Sequence, residues 1–161
     1  MLFIYITLLI NLLHAETLNY DATWNNKYVE IVICEDSNLK IEKVEAFYLY
    51  MIRHYQPDLS PNNISFTHSN KCPSNESIAD RSAGTKNKIF IKDFDYHPSK
   101  YAETTSYWTR RSNVKYMTSS IIFYPNKINE SIEDDVLMHE IGHSLGLLHI
   151  QNDSIMKPKR L

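Results

Sequence analysis

Five residues near the C-terminal end of the chain have the types and spacing of a metal-dependent catalytic site. His139 and His143 lie four positions apart, so on a helix both imidazoles project from one face. Gly146 is suited to end such a helix, and His149 can then return a third nitrogen. Three histidine ligands leave one coordination position open, as in catalytic zinc sites. Glu140 can act on a zinc-bound water without binding the metal.

Elements of alternating type must position these side chains. Periodicity predicts a helix from a cap at Asp36 or Ser37 to about Gln56, and a last helix that begins with a capping box at Ser131 and Asp134. Alternating, β-branched segments predict strands over residues 27–34, 64–68, 88–94, 104–109 and 116–124. A polar loop is predicted over residues 69–87. This order predicts an α/β or α+β architecture with helices packed on a twisted sheet.

The composition limits the possible functions. The 161 residues fit one domain, and 43% apolar with 22% charged residues is typical of a globular protein. There are 17 Lys and Arg against 19 Asp and Glu, so no basic excess predicts a nucleic acid or an anionic membrane as partner. With only three glycines, the chain has no Gly-rich loop of the kind that binds phosphate.

The N-terminal segment predicts secretion. The apolar run over residues 2–13 is shorter than the roughly 20 residues that span a bilayer, and it suits the core of a signal peptide. Cleavage after Ala15 would remove residues 1–15 and leave a single domain over residues 16–161. A buried strand and an uncleaved membrane anchor are the alternatives.

The two cysteines and the sequons fit an oxidising compartment. Cys34 and Cys72 are predicted to form a disulfide there, with two buried free thiols as the alternative. The N-x-S/T sequons are Asn63, Asn75, Asn129 and Asn152. Asn75 lies in a polar stretch and is the best candidate for glycosylation, whereas Asn152 lies closest to the histidines.

The histidine segment also resembles a known family. The run HEIGHSLGLLH, from His139 to His149, resembles the zinc signature of the metzincin metalloproteases. The sequence Ser-Ile-Met156 resembles their Met-turn, whose methionine forms an apolar floor and is not a ligand. The text HEIGHSLGL, and Pro158 two residues after Met156, are most similar to the matrixins, the matrix metalloproteinase-like branch. The segment Trp24–Ile33 is similar to the first strand of a matrixin catalytic domain.

This resemblance implies a zincin-like fold with a mostly parallel sheet of about five strands, two main helices and a small C-terminal subdomain. It implies a secreted zinc metalloendopeptidase with zinc ligands at His139, His143 and His149. Glu140 is expected to act as general base and then general acid on a zinc-activated water. The substrate is expected to be an extended protein or peptide that pairs with an edge strand, and the weak strand 104–109 is the predicted edge. A monomer is expected, with no membrane span after signal cleavage.

Other functions and metals stay open at this point. Lys159 and Arg160 stand where matrixins build the wall of the main specificity pocket, so a catalytically weak or inactive binding module is the alternative function. A non-proteolytic zinc hydrolase, such as an amidase, has the same ligands. The family often binds Ca²⁺ as well, but no ligand spacing for it is visible. Asp93, Asp95 and His97 form the only local cluster, and solvated turn residues are the default interpretation.

Overall fold

The computed structural model describes residues 24, 28–55, 64–74, 77–78, 87–94, 97–111, 114–125, 128, 130–149 and 156, without the side chains of residues 55, 108–118, 130 and 131. The predicted signal peptide, the asparagines of the four sequons, Asp95 and the chain from Ile150 onward, apart from Met156, lie outside this set. Among the described residues, no helix is long and apolar enough to cross a bilayer.

Five strands and two helices make up this part of the chain. In order they are β1 (Val29–Cys34), α1 (Ile41–Tyr55), β2 (Ile64–Ser69), β3 (Lys88–Asp93), β4 (Ala102–Arg111), β5 (Val114–Phe123) and α2 (Glu130–Ser144). The strands form one sheet in the order β2-β1-β3-β5-β4. Only β4 runs antiparallel to its neighbour. The predicted α/β class with a mostly parallel five-stranded sheet and two helices is confirmed, and β4 lies at the predicted edge.

Helix α1 buries the stripe that its periodicity predicts. The predicted stripe consists of Ile41, Val44, Tyr48, Met51, Ile52 and Tyr55. Val44, Tyr48, Met51 and Ile52 are almost completely buried, Ile41 is half-buried against the core, and the side chain of Tyr55 lies outside the described set. The predicted cap is wrong, because the first helical bonds run from the amides of Lys43 and Val44 to the carbonyl oxygen of Lys40. Ser37 instead donates its amide proton to the carbonyl oxygen of Cys34, in the turn that follows β1.

Helix α2 begins earlier than predicted. Its first residue is Glu130, so Ser131 lies inside the first turn and cannot be the cap of a capping box. The helix packs against α1, β4 and β5. Its apolar residues Val136, Leu137 and Ile141 enter the core, whereas His139, Glu140 and His143 line a cleft beside the start of β4.

The sheet carries a separate apolar cluster on each face. On β1, Ile31 and Ile33 pack into the core under the helices, whereas Val32 and Cys34 point to the other face. There they meet Phe90 of β3, together with the fully buried Ile78. Ile78 belongs to the stretch predicted as a polar loop, so that prediction missed a core residue.

The disulfide belongs to this second cluster. Cys34 and Cys72 are bonded, with their Cα atoms 5.8 Å apart, so the predicted pairing is confirmed and the free-thiol alternative is excluded. The bond joins the end of β1 to the segment that follows β2. It therefore links the segment after β2, which leads to the helical residues Ser77 and Ile78, to this face of the sheet.

Candidate metal centre

The end of α2 brings the three predicted histidines together. The Nε2 atoms of His139 and His143 are 3.1 Å apart, and that of His149 lies 3.1 Å from the first and 2.9 Å from the second. Among the described residues, these three form the one group of His, Cys, Asp or Glu side chains that could hold a metal ion. His139 is buried and His149 is exposed, so the group opens from the protein interior to the surface.

The hydrogen bonding of His143 shows why a cation fits between the rings. Its Nδ1 atom lies 2.8 Å from the carbonyl oxygen of Leu147, which can only accept, so Nδ1 carries the proton. The Nε2 atom of the neutral ring is then unprotonated, and its lone pair is directed at the other two Nε2 atoms. Tetrahedral zinc with Zn–N distances of 2.0–2.1 Å would hold such nitrogens about 3.3 Å apart. The spacing and the donor chemistry therefore fit a metal bound by three imidazoles.

A tight turn after α2 returns His149 to the site. Gly146 has a φ of 94°, in the left-handed region that glycine adopts without strain. The amide of Leu147 bonds to the carbonyl oxygen of Gly142, at 3.0 Å. Leu147 thus closes the turn with its amide and orients His143 with its carbonyl. The role predicted for Gly146 is confirmed by this geometry.

Met156 packs directly against α2, the helix that carries His139 and His143. It is completely buried, and its thioether occupies the space where a Cβ atom on Gly142 would stand. The same Cβ would lie 3.1 Å from Met156 Cε and 3.2 Å from Met51 Cε. Only a glycine at position 142 allows this close approach. Met156 is therefore part of the apolar support for the turn of helix that carries two of the histidines.

A buried polar group supports the same helix from behind, and the sequence patterns did not reveal it. Trp24 donates its indole N–H to the carbonyl oxygen of Ser144, at 2.8 Å. The hydroxyls of Ser144 and Tyr48 are 2.8 Å apart, and that of Ser144 also lies 2.8 Å from the carbonyl oxygen of Ile141. Burial raises the pKa of Tyr48 well above its ordinary range, so it stays a neutral hydroxyl. The Tyr48 bond joins the last turn of α2 to α1, and the Trp24 bond joins it to the segment that precedes β1.

Glu140 lies beside the three histidines and contacts the edge strand. It is 7% exposed, and its Oε2 atom accepts a hydrogen bond from the hydroxyl of Thr104 on β4, at 2.5 Å. Burial raises the pKa of the Glu140 carboxyl to about 7; the Thr104 bond opposes this rise, and the negative charge of Glu103 adds to it. Burial also lowers the pKa of His143 to about 4 and keeps that ring neutral. A carboxyl with a pKa near 7 is suited to proton transfer at neutral pH.

The site lies in a cleft between α2 and the start of β4. Its volume is about 310 Å³. It is lined by the three histidines, Glu140 and Val136 on one side and by residues 99–104 on the other. The geometry thus places a candidate base and a candidate metal site in one cavity that is large enough for part of a peptide.

One wall of this cleft carries a paired charge. Glu103 accepts a hydrogen bond from Tyr124, at 2.5 Å, and forms an ion pair with Lys100, also at 2.5 Å. Burial opposes ionisation of Glu103, but these two partners outweigh it and lower its pKa. Glu103 therefore stays charged beside the buried Glu140. The sequence contained no periodic or motif signal for this pairing.

The other acidic and histidine residues that the sequence singled out do not join the metal site. His97 accepts the amide protons of Ser99 and Lys100 at its Nδ1 atom, at 3.2 Å and 3.1 Å. Asp93 accepts hydrogen bonds from the amide and the side chain of Asn38. His97 and Asp93 therefore form hydrogen bonds within turns and loops. Asp95 lies outside the described residues.

Comparison with protein-family models and with curated proteins finds no match for this chain. Its function must therefore be argued from the site itself.

Proposed function

We propose that this chain is a secreted zinc-dependent endopeptidase of the matrixin branch of the metzincins. The observation that carries the proposal is the convergence of three imidazole Nε2 atoms beside a buried carboxyl in an open cleft. Three protein ligands are typical of catalytic zinc, whereas a structural site is closed by four. The motif resemblance supports the choice of family, and the position of Met156 under the helix agrees with it.

The proposed reaction is hydrolysis of a peptide bond. A zinc ion held by His139, His143 and His149 would acidify a bound water and polarise the scissile carbonyl. The Glu140 carboxylate takes one proton as the water oxygen bonds to the carbonyl carbon. It then delivers that proton to the leaving nitrogen as the C–N bond breaks, so the base of the first step is the acid of the second.

The proposed substrate is an extended polypeptide bound along β4. Among the described strands, β4 pairs with β5 alone and lies at the edge of the sheet, which leaves a second edge that a peptide could join by main-chain hydrogen bonds. The first residues of this strand, 102–104, together with the preceding residues 99–101, form one wall of the cleft. A peptide added to this edge would therefore pass between β4 and the three histidines.

Secretion is supported by two observations. The disulfide between Cys34 and Cys72 is stable in an oxidising compartment. The apolar run over residues 2–13 has the length of a signal-peptide core. Sequencing the N-terminus of protein collected outside the expressing cell should find Glu16 as the first residue, and an intact Met1 would contradict the cleavage site.

A peptide-library experiment tests the proposed activity. The purified, zinc-loaded protein is incubated with a diverse peptide mixture, and new termini are read by mass spectrometry. A parallel sample is stripped of metal with a chelator, and a third is stripped and then reloaded with zinc. We expect internal cleavage in the first and third samples and none in the second.

Three outcomes would contradict the proposal. Peptides that are bound and left intact would favour the catalytically inactive binding module. Release of ammonia or acyl groups without cleavage of the main chain would favour an amidase. Cleavage that survives complete removal of metal would exclude the three-histidine site as its origin.

A further inference from the structure

We propose that Thr104 is a positioning residue for Glu140: its hydroxyl holds one carboxylate oxygen so that the other is presented to the cleft. This inference rests on the proposed function, since it assigns a role in the same reaction. Thr104 belongs to the edge strand β4 and Glu140 to helix α2, at a sequence separation of 36 residues. A side-chain hydrogen bond thus joins the two walls of the cleft at Glu140, the proposed general base.

The two carboxylate oxygens of Glu140 differ in their hydrogen bonding. The Thr104 hydroxyl lies 2.5 Å from Oε2 and 3.1 Å from the main-chain carbonyl oxygen of Glu140. The hydroxyl has one proton, and the nearer, charged acceptor is the stronger partner. Oε1 has no hydrogen-bond partner among the described residues and belongs to a side chain that lines the cleft. Oε1 is therefore the oxygen available to receive the proton of the attacking water.

The donor is itself held rigidly. Thr104 lies opposite Ile121 in the antiparallel ladder of β4 and β5, and β5 is in turn paired with β3. Ile121 is completely buried, which fixes the register of the hairpin at this point. The hydroxyl of Thr104 is thus attached to a part of the edge strand that is paired with a buried part of β5. A rigid donor can limit the rotamers of the Glu140 side chain, which has three rotatable bonds.

A purely structural bond between strand and helix is the competing explanation. It predicts that removing the hydroxyl lowers stability and leaves turnover per folded molecule unchanged. A positioning role predicts a fall in kcat with little change in KM, because the peptide still binds along β4 while the base is misplaced in the transition state.

Three variants separate these explanations. Thr104→Val keeps the size and branching of the side chain and removes the hydroxyl, whereas Thr104→Ser keeps the hydroxyl. Thr67→Val makes the same chemical change at the opposite edge of the sheet, on β2, where the Thr67 hydroxyl donates to Oε1 of Glu30 at 3.0 Å. Each is loaded with zinc, its metal content is measured, and kcat and KM are determined on one peptide cut by the parent.

We expect Thr104→Val to lower kcat by about 10–100-fold with KM within about twofold, a loss typical of groups that orient a catalytic residue. Thr104→Ser should recover most of this loss, and Thr67→Val, which removes a Thr–Glu bond far from the cleft, should match the parent in kcat and KM. Zinc content should be equal in all four proteins. Parental kcat in Thr104→Val, or equal losses in the Val and Ser variants, would overturn the inference.

A second readout does not depend on activity. Thermal unfolding of the metal-free parent, Thr104→Val, Glu140→Ala and the double variant forms a double-mutant cycle. We expect Thr104→Val to lower Tm in the parent and to have a much smaller effect once Glu140 is Ala. Equal losses in both backgrounds would overturn the Thr104–Glu140 bond even if the parent is an active protease. A parent that cleaves nothing but shows the coupling would instead overturn the proposed function.

Discussion

The two faces of the sheet are stabilised by different means. On the face under the helices, a large apolar core is joined to buried hydrogen bonds, such as that between Trp24 and Ser144. On the opposite face, the described cluster holds only Val32, Cys34, Ile78 and Phe90, with Cys72 and Tyr107 packed against it. A disulfide reinforces this smaller cluster.

This difference predicts that residues on the disulfide face contribute mainly to stability, whereas residues at the edge of the helix face contribute to metal binding. A small cluster buries little apolar surface, so it contributes little to the free energy of unfolding. The disulfide therefore supplies much of the stability that holds the segment after β2 on this face of the sheet. The helix face has enough core to support polar and titratable groups at its edge, including His139 and Glu140, both 7% exposed. We therefore expect changes on the disulfide face to alter unfolding and leave the metal site intact. Changes at the helix edge should alter the metal site first.

The largest expected effect is the loss of metal affinity when a histidine of the site is removed. His139→Ala, His143→Ala and His149→Ala each delete one ligand nitrogen and should weaken zinc binding by more than about 100-fold. His54→Ala, on the exposed side of α1, is the control and should bind zinc as the parent does. Zinc titration against a competing chelator measures each affinity. Full occupancy in all three site variants would show that the ligand assignment is wrong.

The next largest effect should come from the disulfide. Replacing Cys34 and Cys72 together by Ala opens a loop with a sequence separation of 38 residues, and the chain-entropy model gives a loss of about 4 kcal/mol in the free energy of unfolding. Urea unfolding of the metal-free protein measures this loss. Zinc affinity of the folded variant should remain within about threefold of the parent. A parallel collapse of zinc affinity would contradict the separation of the two faces.

Glu140 and His143 should make the stability of the metal-free protein depend on pH in opposite directions. The pKa of His143 falls from 6.5 to about 4 on folding, so its contribution to stability is present above pH 6.5 and is lost as the pH falls towards 4. The pKa of Glu140 rises from 4.5 to about 7, so its contribution is present below pH 4.5 and is lost as the pH rises towards 7.

The two contributions nearly cancel in the parent, and variants separate them. Relative to the parent, Glu140→Gln should lose stability, and His143→Gln should gain it, as the pH is lowered from 7 to 4.5. Each change should be on the order of 3 kcal/mol. Urea unfolding at a series of pH values measures both. Equal slopes in the two variants would contradict the burial of these groups.

A smaller effect is expected where Met156 meets the helix. Gly142→Ala places a Cβ atom against the Met156 thioether and should cost about 1–3 kcal/mol, as overpacking does. Met156→Leu keeps a similar volume and should cost less than about 1.5 kcal/mol, with zinc retained. Chemical unfolding and metal analysis of both variants test this. Complete loss of zinc in Met156→Leu would contradict the role of an apolar floor.

The sequence predicted what is local to one element. The spacing of His139, His143 and His149 depends only on a helix and the turn at Gly146, and the structure brings these rings together. The buried stripe of α1 follows from its own periodicity in the same way. The weak strand that became β4 could be predicted as an edge because few of its residues are apolar.

The remaining features depend on contacts between distant segments. The bond from Thr104 to Glu140 requires the register of β4 on β5, which no pattern within either segment determines. Ile78 was missed because a single apolar residue in a polar stretch has no periodicity. The caps of both helices were misplaced because more than one Ser, Asp or Asn residue lies near each helix start. Before α1, the predicted cap Ser37 takes part in the turn after β1 instead, where its amide bonds to the carbonyl oxygen of Cys34.

The central claim is that Glu140 is the base of a zinc peptidase, and one comparison tests it directly. Glu140→Gln keeps the size of the side chain and removes only its ability to take a proton. Glu133→Gln, on the same helix and paired with Lys43 away from the cleft, is the matched control. Both are loaded with zinc, and peptide turnover is measured beside zinc content. We predict that Glu140→Gln keeps its zinc and loses at least about 10²–10⁴-fold in kcat, while Glu133→Gln cleaves as the parent does. A zinc-loaded Glu140→Gln variant that cleaves at close to the parental rate would contradict the account.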